Sequence, residues 1–100
     1  MLTLKPYKKR ILVVNEFSQL STGFSTYMRY LLPRLHNTGK YEIAEHATYI
    51  DPNHPEIENV PWAVFPNMPD PRDRKGQDLY KQNRFNQFGA WKFEEVCLKW

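Results

Sequence analysis

Residues 11–14 read Ile-Leu-Val-Val, and residues 15–23 read Asn-Glu-Phe-Ser-Gln-Leu-Ser-Thr-Gly. A short, uninterrupted apolar run is typical of a strand that is covered on both faces in a parallel sheet. The polar stretch behind it predicts a loop that ends in a turn of small residues. We therefore expect the chain to pass from a buried strand through a tight turn directly into a helix.

A helix is predicted from residue 23 or 24 to about Asn37. Its apolar residues recur at intervals of three and four and so share one face: Phe24, Tyr27, Met28, Leu31, Leu32 and Leu35. The hydroxyl residues available to cap its first turn are Ser21, Thr22 and Ser25. Pro33 is expected to kink the last turns because it has no N–H to donate. Gly39 is expected to end the helix in a left-handed conformation.

The rest of the chain predicts two more strands and one more helix. Residues 41–49 alternate in polarity, and a strand here would run parallel to the first because the helix forms a right-handed crossover. Residues 62–65 lie between prolines and predict a short third strand. Residues 67–83 are polar and are expected to form a long irregular connection. Residues 85–100 predict a continuous helix whose apolar stripe includes Cys97 as a buried, inert thiol.

This order predicts the α/β fold class, with three parallel strands and two flanking helices in one incomplete unit over residues 1–100. A three-stranded sheet leaves its edges unpaired and part of its apolar surface uncovered. We therefore expect a further segment or a partner chain to complete the sheet.

The composition is that of a folded chain, with 41% hydrophobic and 15% aromatic residues. The net charge of +3 comes with two basic clusters, one formed by Lys5, Lys8, Lys9 and Arg10 and one formed by Arg72, Arg74 and Lys75. Both are expected to be solvated flanks, with contact to a membrane surface as the alternative; nucleic acid is not an expected partner.

The sequence predicts a cytoplasmic protein without a metal or other cofactor. It has no run of roughly 18 apolar residues, and its opening segment lacks the apolar core of a signal peptide. A single cysteine cannot form an internal disulfide. The histidines and acidic residues considered as metal ligands lack the usual compact spacing: His36, His46, His54, Asp51 and Glu45.

The leading candidate site is the turn between the first strand and the helix. Such a turn directs free N–H groups toward the carboxyl end of the strand, where open α/β sheets bind anionic or polar ligands. The candidates are Ser21, Thr22, Gly23 and Phe24, with Glu16 as a possible partner for a ligand hydroxyl. Capping by the hydroxyls and a merely solvated Glu16 are the alternative interpretation.

Six segments carry a resemblance to a known family: residues 9–15, 21–27, 31–35, 40–43, 80–83 and 86–95. Together they resemble the amino-terminal part of GT-B-fold glycosyltransferases of the large retaining group. The resemblance implies a Rossmann-like domain that holds the acceptor and faces a second domain across the active-site cleft. It also implies that the turn at Ser21, Thr22 and Gly23 approaches the donor diphosphate with its backbone amides. One glycine stands here where relatives often have two.

The resemblance implies a nucleotide-sugar donor and a sugar or other hydroxyl acceptor as ligands of the completed enzyme. The chain contains no donor-binding carboxy-terminal domain, so alone it is expected to be inactive, and no catalytic residue is assigned. The alternative is a stand-alone α/β interaction module, without catalysis, that docks on a partner through its open sheet edge.

Overall fold

The computed structural model describes residues 8–100 as a three-stranded parallel sheet flanked by three α-helices. The elements are β1 (Lys9–Glu16), α1 (Gly23–Asn37), β2 (Tyr41–Thr48), β3 (Ala63–Pro66), α2 (Arg74–Lys81) and α3 (Phe93–Lys99). Two single 3₁₀ turns lie at Pro55–Asn59 and Arg84–Phe88. Lys5 of the predicted basic cluster and the opening segment discussed as a signal peptide lie outside the described residues.

The predicted parallel topology is confirmed, with the strand order β1-β2-β3. The β1–β2 ladder pairs Lys9 with Tyr41 at one end and Glu16 with Thr48 at the other. The shorter β2–β3 ladder is also parallel. The chain thus has the partial Rossmann-like arrangement that the sequence predicts.

The central strand is β2, and this corrects the prediction for residues 11–14. Every residue from Ile43 to Thr48 is buried, whereas β1 is only partly covered and Val14 is 44% exposed. The reason is positional, because within residues 8–100 no strand pairs with the outer edge of β1. An apolar run alone does not distinguish an edge strand from a central one.

The helix α1 packs its apolar face on the sheet as predicted. Leu32 is fully buried and contacts Ile43 and Trp62. The helix passes through Pro33 and ends at Asn37, where Gly39 takes a left-handed φ of 71°. Residues that surround this core are Val13, Met28, Leu35, Tyr41, Val60 and Val64. A second buried cluster contains Phe17, Ala47 and Ile50.

Three predictions for the second half of the chain are wrong. The connection at residues 67–83 contains α2, which starts because the Asp73 carboxylate accepts a hydrogen bond from the Gly76 N–H. Residues 85–100 do not form one helix, because Gly89 adopts a φ of 99° and separates the turn at Arg84–Phe88 from α3. Cys97 is exposed, not buried in an apolar stripe.

Gly89 breaks the predicted helix for a reason that lies on the neighbouring strand. A Cβ at this position would stand 3.0 Å from Cε1 of His46. Glycine therefore allows the chain to turn left-handed and to rest directly on the imidazole. Phe93 then stacks on the same ring, with the ring centroids 6.4 Å apart.

Within residues 8–100, no helix combines the length and the hydropathy needed to cross a membrane.

The assigned core predicts that alanine substitution of two different leucines lowers the free energy of unfolding by very different amounts. Leu32→Ala should lower the free energy of unfolding by about 2–5 kcal/mol, because it removes a fully buried side chain and leaves a cavity. Leu98 is 82% exposed, so Leu98→Ala should change it by less than about 0.5 kcal/mol. Urea unfolding followed by circular dichroism measures both. Equal losses would contradict the assigned core.

Candidate functional site

A groove opens where β1 and β2 end, and we call it the β1–β2 groove. Its volume is about 380 Å³, within the range of small-molecule sites. The lining residues are Val14, Asn15, Glu16, Phe24, Met28, Thr48, Tyr49 and Phe88. The polar groups among them come from the carboxyl ends of two adjacent parallel strands, which is where open α/β sheets bind ligands. The groove therefore combines polar strand ends with apolar and aromatic walls.

Of the five predicted site residues, the structure brings two into the groove. Glu16 and Phe24 line it, and Phe24 is 77% exposed. Ser21, Thr22 and Gly23 are exposed at the adjoining start of α1 and are not among the lining residues.

The hydroxyl of Thr22 serves the helix cap. Its Oγ1 accepts from the Ser25 N–H at 3.2 Å, and Ser25 Oγ accepts from the Thr22 N–H at 2.9 Å. Thr22 Oγ1 also donates to the carboxylate of Glu16. This reciprocal arrangement of Thr22 and Ser25 is a capping box. The alternative interpretation of this hydroxyl as a capping group is therefore confirmed.

The fold leaves open space next to Gly23. Apart from the adjoining backbone, no atom lies within 4 Å of the position that a Cβ would occupy, and its φ is not in the left-handed region. Neither backbone conformation nor packing thus requires glycine here. At the first turn of a helix the leading N–H groups have no intrahelical acceptor. The glycine therefore leaves open space beside backbone N–H groups that can donate hydrogen bonds to an anion.

Tyr49, one of the groove residues, has an uncommon backbone conformation. It follows β2 directly and has a φ of 66°, the left-handed region that non-glycine residues rarely adopt. The residue lines the groove beside Thr48. Burial raises the pKa of the Tyr80 phenol, with a smaller contribution from Tyr49. Backbone strain of this kind collects at ligand sites, so Tyr49 joins the candidate residues.

The loop that carries the site is held by the buried carboxylate of Glu45. Its Oε1 accepts from the Ser18 N–H at 2.9 Å, and its Oε2 accepts from Ser18 Oγ at 2.8 Å and from Trp62 Nε1 at 2.7 Å. Asn15 Nδ2 lies 3.4 Å from Oε1. The carboxylate thus ties the β1–α1 loop to β2 and to the residue before β3. Arg29 donates to the carbonyls of the same loop.

On the opposite face of β2, His46 holds the carboxy-terminal segment. Its Nε2 lies 3.2 Å from Asn67 Oδ1, while Asn67 Nδ2 donates to the Asn86 carbonyl at 2.7 Å. Trp91 Nε1 donates to both oxygens of Asn67 at 3.0 Å. Burial lowers the pKa of His46; the Asn67 hydrogen bond opposes this, and the charge of Lys92 adds to it. This network holds the segment that brings Phe88 to the groove.

The sequence analysis missed several residues of this region. Asn15 and Thr48 occupy neighbouring strand ends, and the pairing of β1 with β2 would have placed them together. Asn15 also has a buried Oδ1 without a hydrogen-bond partner among residues 8–100. The left-handed Tyr49 and the contact of Phe88 with the groove have no signal in the sequence. Within residues 8–100, no cluster of three or more histidine, cysteine or acidic side chains could hold a metal.

Comparison of the chain with protein-family models, with curated proteins and with solved structures finds no significant match. Its function must therefore be argued from the site itself.

The hydrogen bonds of the buried Glu45 carboxylate predict that even the nearly isosteric change to glutamine destabilises the chain. Glu45→Gln should lower the free energy of unfolding by about 1–3 kcal/mol, because an amide N–H₂ would replace one oxygen that faces only donors. Glu42→Gln on the same strand is the matched control, since its ion pair with Arg10 is exposed and should contribute little. Chemical denaturation of both variants measures the difference. Similar stabilities would contradict the anchoring role of Glu45.

The lowered pKa of His46 predicts a loss of stability in mild acid. The unfolded chain binds a proton near the ordinary value of 6.5, whereas folded His46 resists protonation, so the unfolded state binds more protons below that value. The free energy of unfolding should keep the full contribution of neutral His46 above about pH 6.5 and should decline as the pH falls through the lowered pKa of folded His46. Urea unfolding between about pH 7.5 and pH 5.5 measures this slope, and His46→Gln should flatten it. An unchanged slope in that variant would assign the effect elsewhere.

Proposed function

We propose that this chain is the amino-terminal part of a nucleotide-sugar-dependent glycosyltransferase. In this proposal the β1–β2 groove forms the acceptor side, and the start of α1 forms part of the donor-diphosphate site. The observation that carries the proposal is the position of an open groove at two parallel strand ends, beside a helix start with free space at Gly23. The resemblance in the sequence gives the reaction class.

The electrostatics of the helix start support an anionic ligand. A helix carries about half a positive charge at its N-terminus, where its first N–H groups lack partners. The first turn of α1 contains no acidic residue, and the carboxylate of Glu16, which contacts this end of the helix, accepts from Thr22 Oγ1. A diphosphate beside Gly23 would meet backbone N–H donors, and the space next to the Gly23 Cα is open. The same groups favour the negative charge that develops on a nucleotide leaving group during sugar transfer.

The groove itself supports a hydroxylated acceptor. Asn15, Glu16 and Thr48 supply amide, carboxylate and hydroxyl groups at its polar end. Phe24 and Tyr49 supply ring surface, on which the apolar face of a sugar can rest. A carboxylate such as Glu16 accepts hydrogen bonds from ligand hydroxyls. In the proposal, these residues bind and orient the acceptor, and residues of a further domain grip the donor.

The proposal assigns no bond-making step to a residue of this chain. Its contribution is to hold acceptor and leaving group in position, which can account for a large share of a transfer reaction's acceleration. It also retains a cytoplasmic location, with which the lone Cys97 agrees, since a reducing compartment keeps thiols free. No resident metal or cofactor is part of it.

The proposal predicts that Gly23→Leu separates ligand binding from folding. The new side chain would extend into open space, so the free energy of unfolding should fall by no more than about 0.5 kcal/mol and can rise, because leucine favours helices. The same side chain would block a diphosphate at the start of α1. Millimolar or tighter binding of a sugar nucleotide to the unmodified chain should therefore weaken about tenfold or more. Calorimetric titration with uridine, guanosine and adenosine diphosphate sugars measures it.

A pair of exposed aromatic residues on α1 provides the control for the acceptor side. Phe24→Ala should weaken the binding of any sugar acceptor that binds the unmodified chain. Tyr30→Ala should not, because Tyr30 is exposed but does not line the groove. Chemical-shift mapping should place the affected amides at residues 14–16 and 48–49. If no sugar nucleotide binds, or if Gly23→Leu binds as well as the unmodified chain, the glycosyltransferase proposal fails.

A further inference from the structure

The outer edge of β1 carries backbone groups that no strand within residues 8–100 pairs. The Lys9 N–H donates to the Lys40 carbonyl, and the Phe17 N–H donates to the Thr48 carbonyl. Odd-numbered residues of β1 therefore bond to β2, and in a parallel ladder the even-numbered ones direct their N–H and C=O groups outward. The outward-facing residues are Arg10, Leu12, Val14 and Glu16.

Apolar side chains border this edge on both faces of the sheet. Arg29 reaches the β1–α1 loop and His36 packs on Trp62, so this flank of α1 faces β3. Helical spacing puts Phe24, Tyr27 and Leu31 on the opposite flank, over the outer edge of β1. Phe24 is 77% and Tyr27 is 67% exposed. On the other face, the partly exposed residues next to Val14 are Phe85, Phe88 and Phe93.

The charges along β1 fit a second copy of the same strand. The strand begins with basic residues and ends with Glu16. In an antiparallel pair the outward-facing residues must oppose one another, and centring the pair on Val13 meets this condition. Arg10 then stands opposite Glu16 of the second copy, and Leu12 stands opposite Val14. Along the whole edge, charged residues then face residues of opposite charge, and apolar residues face apolar residues.

The helices also fit this arrangement. Since α1 contacts both β1 and β2, it lies slightly inward of the edge. Paired strands are about 4.8 Å apart, so a two-fold axis on the edge would bring the two copies of α1 to roughly 10 Å, a normal helix-packing distance. The exposed Phe24 and Tyr27 of each copy would then be covered by the other helix.

We propose that two copies of the chain associate through antiparallel pairing of β1, with the two-fold axis at Val13, to form a six-stranded sheet. The self-complementary charges, the outward backbone groups and the uncovered flank of α1 together support a second copy over other occupants. This proposal does not rest on the glycosyltransferase proposal, and the two compete for Glu16 and Phe24, which the dimer would cover. It gives the alternative of an interaction module a defined partner.

The proposed register predicts a specific disulfide. Val13 would face itself across a non-hydrogen-bonded pair, with the Cα atoms about 4.5 Å apart, a distance that a disulfide spans. In a Cys97→Ser background, Val13→Cys should therefore form a covalent dimer on mild oxidation. Ile11→Cys is the matched control, because the two copies of residue 11 would be about 13 Å apart in this register and cannot be bridged. Non-reducing electrophoresis measures both. Cross-linking of Ile11→Cys as readily as Val13→Cys would overturn the register.

The charge pairs predict a reversible effect on the association itself. Sedimentation of the unmodified chain should give twice its 12.0 kDa mass at micromolar concentration. Glu16→Lys should weaken dimerisation about tenfold or more, because the introduced ammonium would oppose Arg10 of the second copy, and Arg10→Glu with Glu16→Lys should restore it. Thr22→Val is the control, since it removes the Thr22 contact of Glu16 and the helix cap but keeps the charge of Glu16, and it should leave the dimer intact. A monomeric unmodified chain would overturn the proposal and leave the edge for a strand of another protein or domain.

Discussion

The hydrogen bonds to the buried Glu45 carboxylate are the constraint on which the arrangement of the site depends. A negatively charged group that is buried away from water needs hydrogen-bond donors around it. Here an N–H, a hydroxyl and an indole N–H donate to the two carboxylate oxygens. Two of these donors come from Ser18 and one from Trp62. The carboxylate therefore draws the β1–α1 loop, β2 and the start of β3 together at one point. These contacts fix the direction in which the chain enters α1.

The two halves of the molecule are built differently. The first half follows from hydrophobic periodicity and caps, so the sequence alone predicts β1, α1, β2 and β3 close to their observed bounds. The second half is held to the sheet through His46, Asn67 and Trp91, whose contacts span 21 to 24 residues along the chain. Such long-range polar contacts leave no local pattern, which is why α2 and the break at Gly89 were not predicted.

The order of the elements predicts which residues lie near the strand ends more directly than residue type predicts the role of a single side chain. Glu16 and Phe24, which this order singles out, line the groove, and their role in ligand binding stays a prediction. The hydroxyl of Thr22, a candidate ligand contact, forms a capping box with Ser25. The position of β1 at the sheet edge could not be predicted, because an apolar run reports burial of its side chains and not which backbone edges are paired. The open edge matters as much for the proposed interactions as the groove does.

Glu45 and His46 are neighbours along one strand but project to opposite sides of the sheet, and each is surrounded by partners of fixed chemistry. If β2 slid by a single residue, the carboxylate would turn to the side of the sheet that holds Gly89 and Phe93, and the imidazole would turn to the side that holds Ser18 and Trp62. Both exchanges would bury a polar group among the wrong neighbours. Two adjacent residues thus permit only one alignment of the sheet. A purely apolar strand of this length would tolerate slippage that this one forbids.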